Sequence, residues 1–455
     1  MPPTIDPDVG CVIPAPGEWP IAPQHDVSPR EDHLWVDGCF DFFHHGHAGL
    51  LLQSRRLCAH LTIGIHSDAA ITANKGPPVM NLAERAAAVT ASRFASLCVP
   101  DAPYVTSLAW VGHYGCWFVG HGDDVSSDAQ GEDCYRFVKR AGRMRIVKRT
   151  EGISTTDLVG RMLEGGMGHH IGSLAEMLAG REGGGREEER RTTGARMATR
   201  IREYAAAHNG RDPYVQIHTY KPSTDAGASF TNLVAGHSPR PGQRIVYLDG
   251  AFDLFSSGHI AFLQLVTQLE DSHGRAHDWY SDAARSQRIE ECGEDYGPAY
   301  IIAGIHDDAV VNTYRRGNYP IMSIFERGLC VVQCRYIHAV IFAAPYIPSQ
   351  QYLSALPALA HSDKRVPDAV YHGPLLSPSS SVSTAEDPYA DAKALGIFVE
   401  TPEHAFQEVN AAQIVRRILD KRAEYEERQR KKGVKGVGER EKEAEEARVK
   451  KVGGG

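Results

Sequence analysis

The sequence predicts an α/β fold made of two domains, each built on a mainly parallel sheet. Three observations predict it. Short apolar runs that end at glycines, such as Gly38, Gly64 and Gly120, alternate with stretches of helical pattern. The chain has 455 residues, long for one domain. A series of its segments also recurs, in the same order, after residue 240.

Composition narrows the function classes. Apolar residues are ample for globular cores, and the net charge of −8 argues against a dedicated nucleic-acid binder. No apolar run approaches the roughly 18 residues needed to span a bilayer. Residues 1–30 are rich in proline and acid and have no apolar h-region, so they are expected to be disordered and not a secretory signal. The nine cysteines are scattered, with Cys330 and Cys334 closest and no CxxC. That pattern reads as free thiols in a reduced compartment, not a zinc site.

Ordered structure is expected from near His33. The stretch from Val36 to His47 reads as a strand, a glycine turn at Gly38 and the start of a helix that continues through Leu50 to Leu52. His44 and His47 are three apart and share a face once the helix has begun. Gly46 between them lets a ligand approach the backbone. Free N–H groups under two imidazoles suit a phosphate. A metal site would want i, i+4 spacing and carboxylate company for the histidines, which is not evident.

Leu61–His66 is a second buried strand, with Ser67-Asp68 capping another turn or helix. Lys75-Gly76-Pro77-Pro78 is a loop, and its lysine is a candidate phosphate clamp. Asn81 and Glu84 form a capping pattern at a helix start. Arg85 behind them could reach a triphosphate or pair with a nearby acid. Trp117–Gly120 is a strand ending at His121-Gly122-Asp123-Asp124, where Asp123 could contact a nucleoside or hold a loop. Ser154-Thr155-Thr156 opens a helix through Met162. One hydroxyl is explained as an N-cap, but three after Arg149-Thr150 fit a phosphate better. In a parallel sheet, ligands gather beyond the carboxyl ends of the strands, where these pieces fall.

Residues 166–240 read as a linker with helical patches near Leu174 and Ile201 and a charge run from Arg186 to Arg191. The opening stretch then returns as Val246–His259, and Gly304–Asp308 repeats Gly64–Asp68. Glu326-Arg327 repeats Glu84-Arg85, Ala344-Pro345-Tyr346 repeats Ala102-Pro103-Tyr104, and His372-Gly373 repeats His121-Gly122. The second copy carries a polar insert, about Leu269–Gly297, expected as a surface loop. The expected domains are 31–165, 241–420 and a charged, solvated tail from 421; if the tail is accessory, its removal after about Arg422 should leave activity intact.

Taken together these motifs resemble the CTP:phosphoethanolamine cytidylyltransferases, with their duplicated domain. The residues that carry the resemblance are Asp37–Asp41, the HxGH set His44-His45-Gly46-His47, Lys75–Pro78, Ala102–Thr106, His121–Asp124 and Arg149–Met162, the last close to an RTxGxSTT signature. The resemblance covers nearly the whole chain outside the ends and linker. It implies two Rossmann-like nucleotidyltransferase domains. It also implies CMP transfer from CTP to phosphoethanolamine, giving CDP-ethanolamine and pyrophosphate in phosphatidylethanolamine synthesis. The implied catalytic residues are His44, His47 and Lys75. The implied nucleotide contacts are Gly38, Cys39, Phe40, Asp41, Gly46, Arg85, His121, Gly122, Asp123, Arg149, Thr150, Ser154, Thr155 and Thr156. Mg2+ is expected with CTP, bound largely through substrate oxygens. A cytoplasmic enzyme peripheral to the endoplasmic reticulum is expected. Three other readings stay open: a cytidylyltransferase for phosphocholine or glycerol 3-phosphate, a non-catalytic nucleotide-binding regulator, and an interaction scaffold using the charged linker and tail, which explains those segments but not the histidine turn.

The second copy departs from this pattern. Ser256 replaces the first histidine, leaving His259. Arg315 or Arg316 stands near the Lys75 position. Pro374-Leu375 follows His372-Gly373 where aspartates stood, and Asn410-Ala411-Ala412-Gln413 faces Ser154–Asp157. The second domain is therefore expected to be non-catalytic. Its turn, Gly250-Ala251-Phe252-Asp253 with His259, could still bind a nucleotide, and the two domains are expected to pack as an intramolecular pseudo-dimer.

Overall fold

The computed structural model describes residues 3–21, 27–223, 227–374, 387–428 and 430. The chain divides into two units. The first holds the chain up to Thr90, Phe94–Glu164 and the residues from Ala412; the second holds Ala91–Arg93 and Gly165–Ala411. Leu375 and residues 431–455 of the expected tail lie outside the described residues.

The first unit opens with a small hairpin, β1 (Thr4–Ile5) and β2 (Val12–Ile13). Its main sheet uses β3 (Val27–Gly38), β4 (His60–His66), β5 (Leu97–Ala102), β6 (Tyr114–Gly122) and β7 (Met144–Val147). They lie in the order β5-β4-β3-β6-β7, and all pairs are parallel. The chain winds outward on both sides of β3, so the crevice between β3 and β6 is the switch point where such sheets bind ligands. Helices α1 (His45–Arg55), α2 (Asp68–Lys75), α3 (Leu82–Thr90), α4 (Leu108–His113), α5 (Arg136–Arg140) and α6 (Thr155–Glu164) connect or follow the strands.

The local signals were realised where side chains could act on the backbone nearby. Ser67 caps α2 by accepting the Ala70 amide at 3.2 Å. Asn81 and Glu84 exchange reciprocal bonds of 3.0 and 2.9 Å, completing the capping box.

The N-terminal segment differs from expectation. Residues 3–21 are placed on this unit instead of being disordered. Trp19 is buried, stacked on His113 with ring centroids 3.5 Å apart and edge-on to Trp110 at 5.0 Å. Asp6 is buried and accepts the Ser107 hydroxyl. A single tryptophan can bury on the order of 200 Å², enough to fix a segment whose average composition is polar.

The second unit repeats the sheet and extends it. Strands β8 (Gln216–Ser223), β9 (Gly227–Val234), β10 (Arg244–Gly250), β11 (Ala299–Ile305), β12 (Ala339–Phe342), β13 (Ala369–His372) and β14 (Phe398–Glu400) lie in the order β14-β13-β10-β11-β12-β8-β9. All pairs are parallel except β8 with β9. Its helices are α7 (Leu174–Leu178), α8 (Glu187–Tyr204), α9 (Ser257–Ala276), α10 (Asp282–Cys292), α11 (Asp308–Arg315), α12 (Ile324–Val332), α13 (Gln350–Ser354) and α14 (Ala390–Ala394). The stretch expected as a linker thus supplies two helices and a hairpin of this unit. The insert expected as a loop is helical, the end of α9 followed by α10.

Several fixtures are duplicated with their bonding. The Arg85 guanidinium donates to the carbonyls of Met80, Cys39 and His66 and to Asp68 Oδ1. Arg327 donates to the carbonyls of Met322, Ala251 and His306 and to Asp308 Oδ1. Asp41 accepts the amides of Val79 and Met80; Asp253 accepts those of Ile321 and Met322. Phe40 and Phe42 have φ of 54° and 48°, and Phe252 and Leu254 have 49° and 48°. The left-handed region costs a bulky residue roughly 1–2 kcal/mol, so this turn is strained in both copies. The strain bends the chain from strand end to helix start within a few residues.

Helix α15 (Ala411–Asp420) is followed by a further helix over residues 422–428. From Ala412 these residues belong to the first unit. The tail is therefore not a wholly solvated run: Ile414, Ile418 and Tyr425 are buried. Their spacing of four and seven makes an apolar stripe inside a charged sequence.

Candidate active site

The site in the first unit lies beyond the carboxyl ends of β3, β4 and β6. Its floor is Asp37, buried at the end of β3. Asp37 accepts the Trp35 indole N–H at 2.9 Å, the Thr106 hydroxyl at 2.7 Å and the Tyr135 hydroxyl at 2.7 Å. Burial and the Asp37 charge raise the Tyr135 pKa well above its ordinary value, so that hydroxyl keeps its proton.

His44 is the N-cap of α1 and accepts the Gly46 amide on Nδ1 at 3.1 Å. Its ring lies on that of His47, with centroids 3.9 Å apart and planes 19° apart. Phe40 stands edge-on to His47 at 5.4 Å, and Phe43 stacks on it at 5.9 Å. Glycine is required at position 46: a Cβ there would lie 2.8 Å from the His44 ring and 2.9 Å from Ile153. The same contact brings the start of α6 beside the start of α1. Two helix N-termini therefore converge on the imidazoles, an arrangement that favours an anion.

Lys75 is the last residue of α2, and its ammonium leans over the Tyr104 ring, 5.7 Å from the centroid. Its pKa is raised, first by charge attraction to Cys39, then by Tyr104 and Cys134, against the opposing effect of burial. It is charged at neutral pH. Burial lowers the pKa of His121, whose Nδ1 lies 3.0 Å from the Gly122 carbonyl.

The remaining expected residues divide by what they touch. Gly38 and Cys39 lie partly open at the strand end, while Phe40 and Asp41 are buried beneath it. Asp41 spends its carboxylate on the loop before α3, so it is a latch. Asp123 Oδ1 accepts the Arg149 amide at 2.8 Å, and Arg149 lies 3.5 Å from Asp124. Together they hold the loop that leads through Thr150 to α6. Ser154 caps α6 through the Asp157 amide at 3.1 Å, and Thr155 donates to the Asp41 carbonyl at 3.2 Å. Thr156 sits half-buried in the first turn of α6.

Arg85 is a correction. Of its two expected roles, reaching a triphosphate or pairing with a nearby acid, the second is the one seen: it is buried with its donors on three carbonyls and Asp68. Sequence shows that an arginine follows a helix start, not where five N–H groups point. Tyr135 escaped the sequence reading altogether, because no motif surrounds it.

The second unit keeps the turn without the equipment. Arg315 ends α11 as Lys75 ends α2, which settles the choice between Arg315 and Arg316. His259 Nδ1 accepts the Ser256 amide at 3.1 Å, and the Ser256 hydroxyl donates to the Val409 carbonyl at 2.8 Å. Burial, with Arg315 and His404, pushes the His259 pKa down to about 4. The imidazole is neutral and occupied with its own helix. Gly250, Ala251, Phe252 and Asp253 reproduce the strained turn, and α15 starts at Ala411 as α6 starts at Thr155.

Comparison with known proteins identifies the family. The cytidylyltransferase-like family model matches residues 35–161, the span from β3 through most of α6. Ethanolamine-phosphate cytidylyltransferase of Dictyostelium discoideum is 34% identical over 406 residues, covering 89% of this chain and 95% of that protein. The protein of the same name from Mus musculus is 35% identical, covering 88% and 89%. Choline-phosphate cytidylyltransferase A of Homo sapiens is 37% identical over 136 residues, 30% of this chain and 37% of that one. Among the described residues, no helix is long and apolar enough to cross a membrane. Likeness that runs through both sheets, at this level of identity and with the histidine turn in place, assigns the chain to the ethanolamine-phosphate cytidylyltransferase family.

Proposed function

We propose that the first unit transfers CMP from CTP to phosphoethanolamine, giving CDP-ethanolamine and pyrophosphate. The observation that carries this reading is the stacked pair His44–His47 at the start of α1, with Lys75 across the strand ends. A phosphate oxygen of the acceptor attacks the α-phosphorus of CTP, and the bond to the pyrophosphate oxygen breaks. No protein nucleophile is needed. Charge passes to the leaving pyrophosphate, and fixed donors stabilise it there. In its neutral form His44 carries its proton on Nε2, because Nδ1 accepts from Gly46. That N–H, His47 and the Lys75 ammonium are the donors. The start of α6 holds the triphosphate end, and the open backbone at Gly38 and Cys39 holds the nucleotide.

Among the described residues, no group of three or more His, Cys, Asp or Glu is placed to hold a metal ion. Asp37 and Asp41 already accept bonds from the protein. This donor set fits Mg2+ carried by the oxygens of CTP itself, and the ion would neutralise charge on the triphosphate.

The second unit is non-catalytic in this reading and pairs with the first as an intramolecular pseudo-dimer partner. The enzyme works in the cytoplasm, at the periphery of the endoplasmic reticulum where its product is used. The deciding experiment is pyrophosphate release by the purified chain with CTP, magnesium and, in turn, phosphoethanolamine, phosphocholine and glycerol 3-phosphate. Highest kcat/KM with phosphoethanolamine is expected. Preference for another acceptor would change the substrate, and no release with any would favour a nucleotide-binding regulator.

A further inference from the structure

We propose that Arg428 is a positioning residue for the reaction: the helix at residues 422–428 is a strap that fixes the loop directly after Lys75. The inference rests on reading Lys75 as the phosphate clamp. Pro77 and Pro78 have no N–H, so the loop Gly76–Val79 cannot knit itself into a turn through those positions. It takes its order from outside. Tail residues supply it at three successive carbonyls. Arg428 donates to Pro77 O at 2.9 Å, Tyr425 to Pro78 O at 3.3 Å and Arg417 to Val79 O at 3.2 Å.

Each of these anchors is itself secured. Arg428 lies 3.3 Å from Asp41 Oδ2, the carboxylate that accepts the Val79 and Met80 amides. Arg417 grips Glu84 with two bonds of 2.7 Å. Tyr425 is buried. The Arg428 side chain also runs over Gly76, where an added Cβ would lie 3.5 Å from Arg428 Cγ. The residue next to Lys75 is thus covered by the strap, while Asp41 grips the loop at Val79 and Met80.

The counterpart loop of the second unit is held by other means. There Pro320 O faces the Nε2 atoms of His169 and His170 at 2.8 and 2.9 Å, and Asn312 donates to Gly317 O and Tyr319 O. The bridging arginine belongs to the copy that keeps the histidine pair. In this proposal the tail is not accessory but part of the working site, so its removal would not be harmless.

The test uses the full chain and its Arg428→Ala, Arg428→Lys and Lys75→Ala variants, with a stop after Lys421 as a second route to the same loss. Arg428→Ala should lower kcat/KM for CTP on the order of ten- to a hundredfold, mostly as a raised KM for CTP with the acceptor KM little changed. Arg428→Lys should recover part of it, because one ammonium cannot serve both Asp41 and Pro77 O. Adding Arg428→Ala to Lys75→Ala should cost nothing further; additive losses would overturn action through Lys75. Hydrogen exchange at the Val79 and Met80 amides should quicken in Arg428→Ala at an unchanged melting temperature. Unchanged exchange would overturn the strap itself, whatever the kinetics. A Lys75→Ala enzyme with undiminished turnover would instead overturn the clamp reading and leave the exchange result to stand alone.

Discussion

Nδ1 of His44 accepts the amide of Gly46 at 3.1 Å, and this short bond decides which nitrogen faces the site. The ring is pinned at a helix start by this bond. His44→Asn should keep the cap, since asparagine accepts the same kind of amide bond. It should lose about 100- to 1000-fold in kcat while the melting temperature stays close to that of the parent. His47→Ala should lose as much. His259→Ala should leave turnover within about twofold, because that ring is bonded to its own helix start and packs on the turn of the second unit. Pyrophosphate release decides; equal losses at His47 and His259 would contradict the asymmetry.

Gly46→Ala tests the same turn from the other side. The added methyl would meet the His44 ring at 2.8 Å and Ile153 at 2.9 Å, so one of them must move. If the His44 ring is displaced, kcat should fall by roughly a hundredfold, with a stability loss of about 1–3 kcal/mol from overpacking. Steady-state kinetics beside a urea titration separates the two effects.

Arg327 and Asp308 are both fully buried, and their pair is 2.7 Å long. Replacing Arg327 with methionine strands a buried carboxylate and several carbonyls. A loss of about 3–5 kcal/mol is expected. Arg85→Met should cost less, because the Asp68 side chain is 43% exposed and water can take over its pairing. Urea midpoints measure both. A normal midpoint for Arg85→Met with a raised KM for CTP would restore Arg85 to the triphosphate.

Acid should weaken the second unit. Burial, Arg315 and His404 push His259 down to about 4, and burial, Arg93 and His237 push His338 down to about 4. Between about pH 6.5 and 4 the unfolded chain binds protons at these sites and the folded chain does not. Stability is therefore full above about 6.5 and falls as pH drops, by about 3 kcal/mol per histidine at most. Below about 4 these two sites add no further slope. Urea midpoints from pH 7 to 4 should show the fall, and His338→Gln should flatten it. An unchanged slope in that variant would contradict the assignment.

The chemistry of the site was largely legible in the sequence, because the histidine turn, the Lys75 loop and the α6 start are each written in consecutive residues. The duplication was legible for the same reason. What stayed hidden depends on distant partners. Arg85 could be read as a phosphate ligand or as an ion-pair partner, because nothing local shows that Cys39 and His66 offer it carbonyls. β8 lay in a segment of mixed composition, though Val215, Ile217 and Thr219 alternate as a half-buried strand would. Tail residues Ile414, Ile418 and Tyr425 form a stripe that the surrounding charge obscured. Trp19 anchors a segment whose average composition argued for disorder.

The hairpin β8–β9 also bears on solubility. In the second sheet it takes the outer flank of β12, whose four residues are all buried. In the first sheet, among the described residues, β5 forms that flank itself. That strand carries Pro100, which has no N–H to offer a passing chain, and Asp101 in a left-handed kink at φ 59°. One copy screens a greasy border with extra backbone; the other makes its border a poor template for self-association. Trimming the hairpin would expose an apolar edge, so a shortened second copy should be collected from inclusion bodies even where its fold is intact.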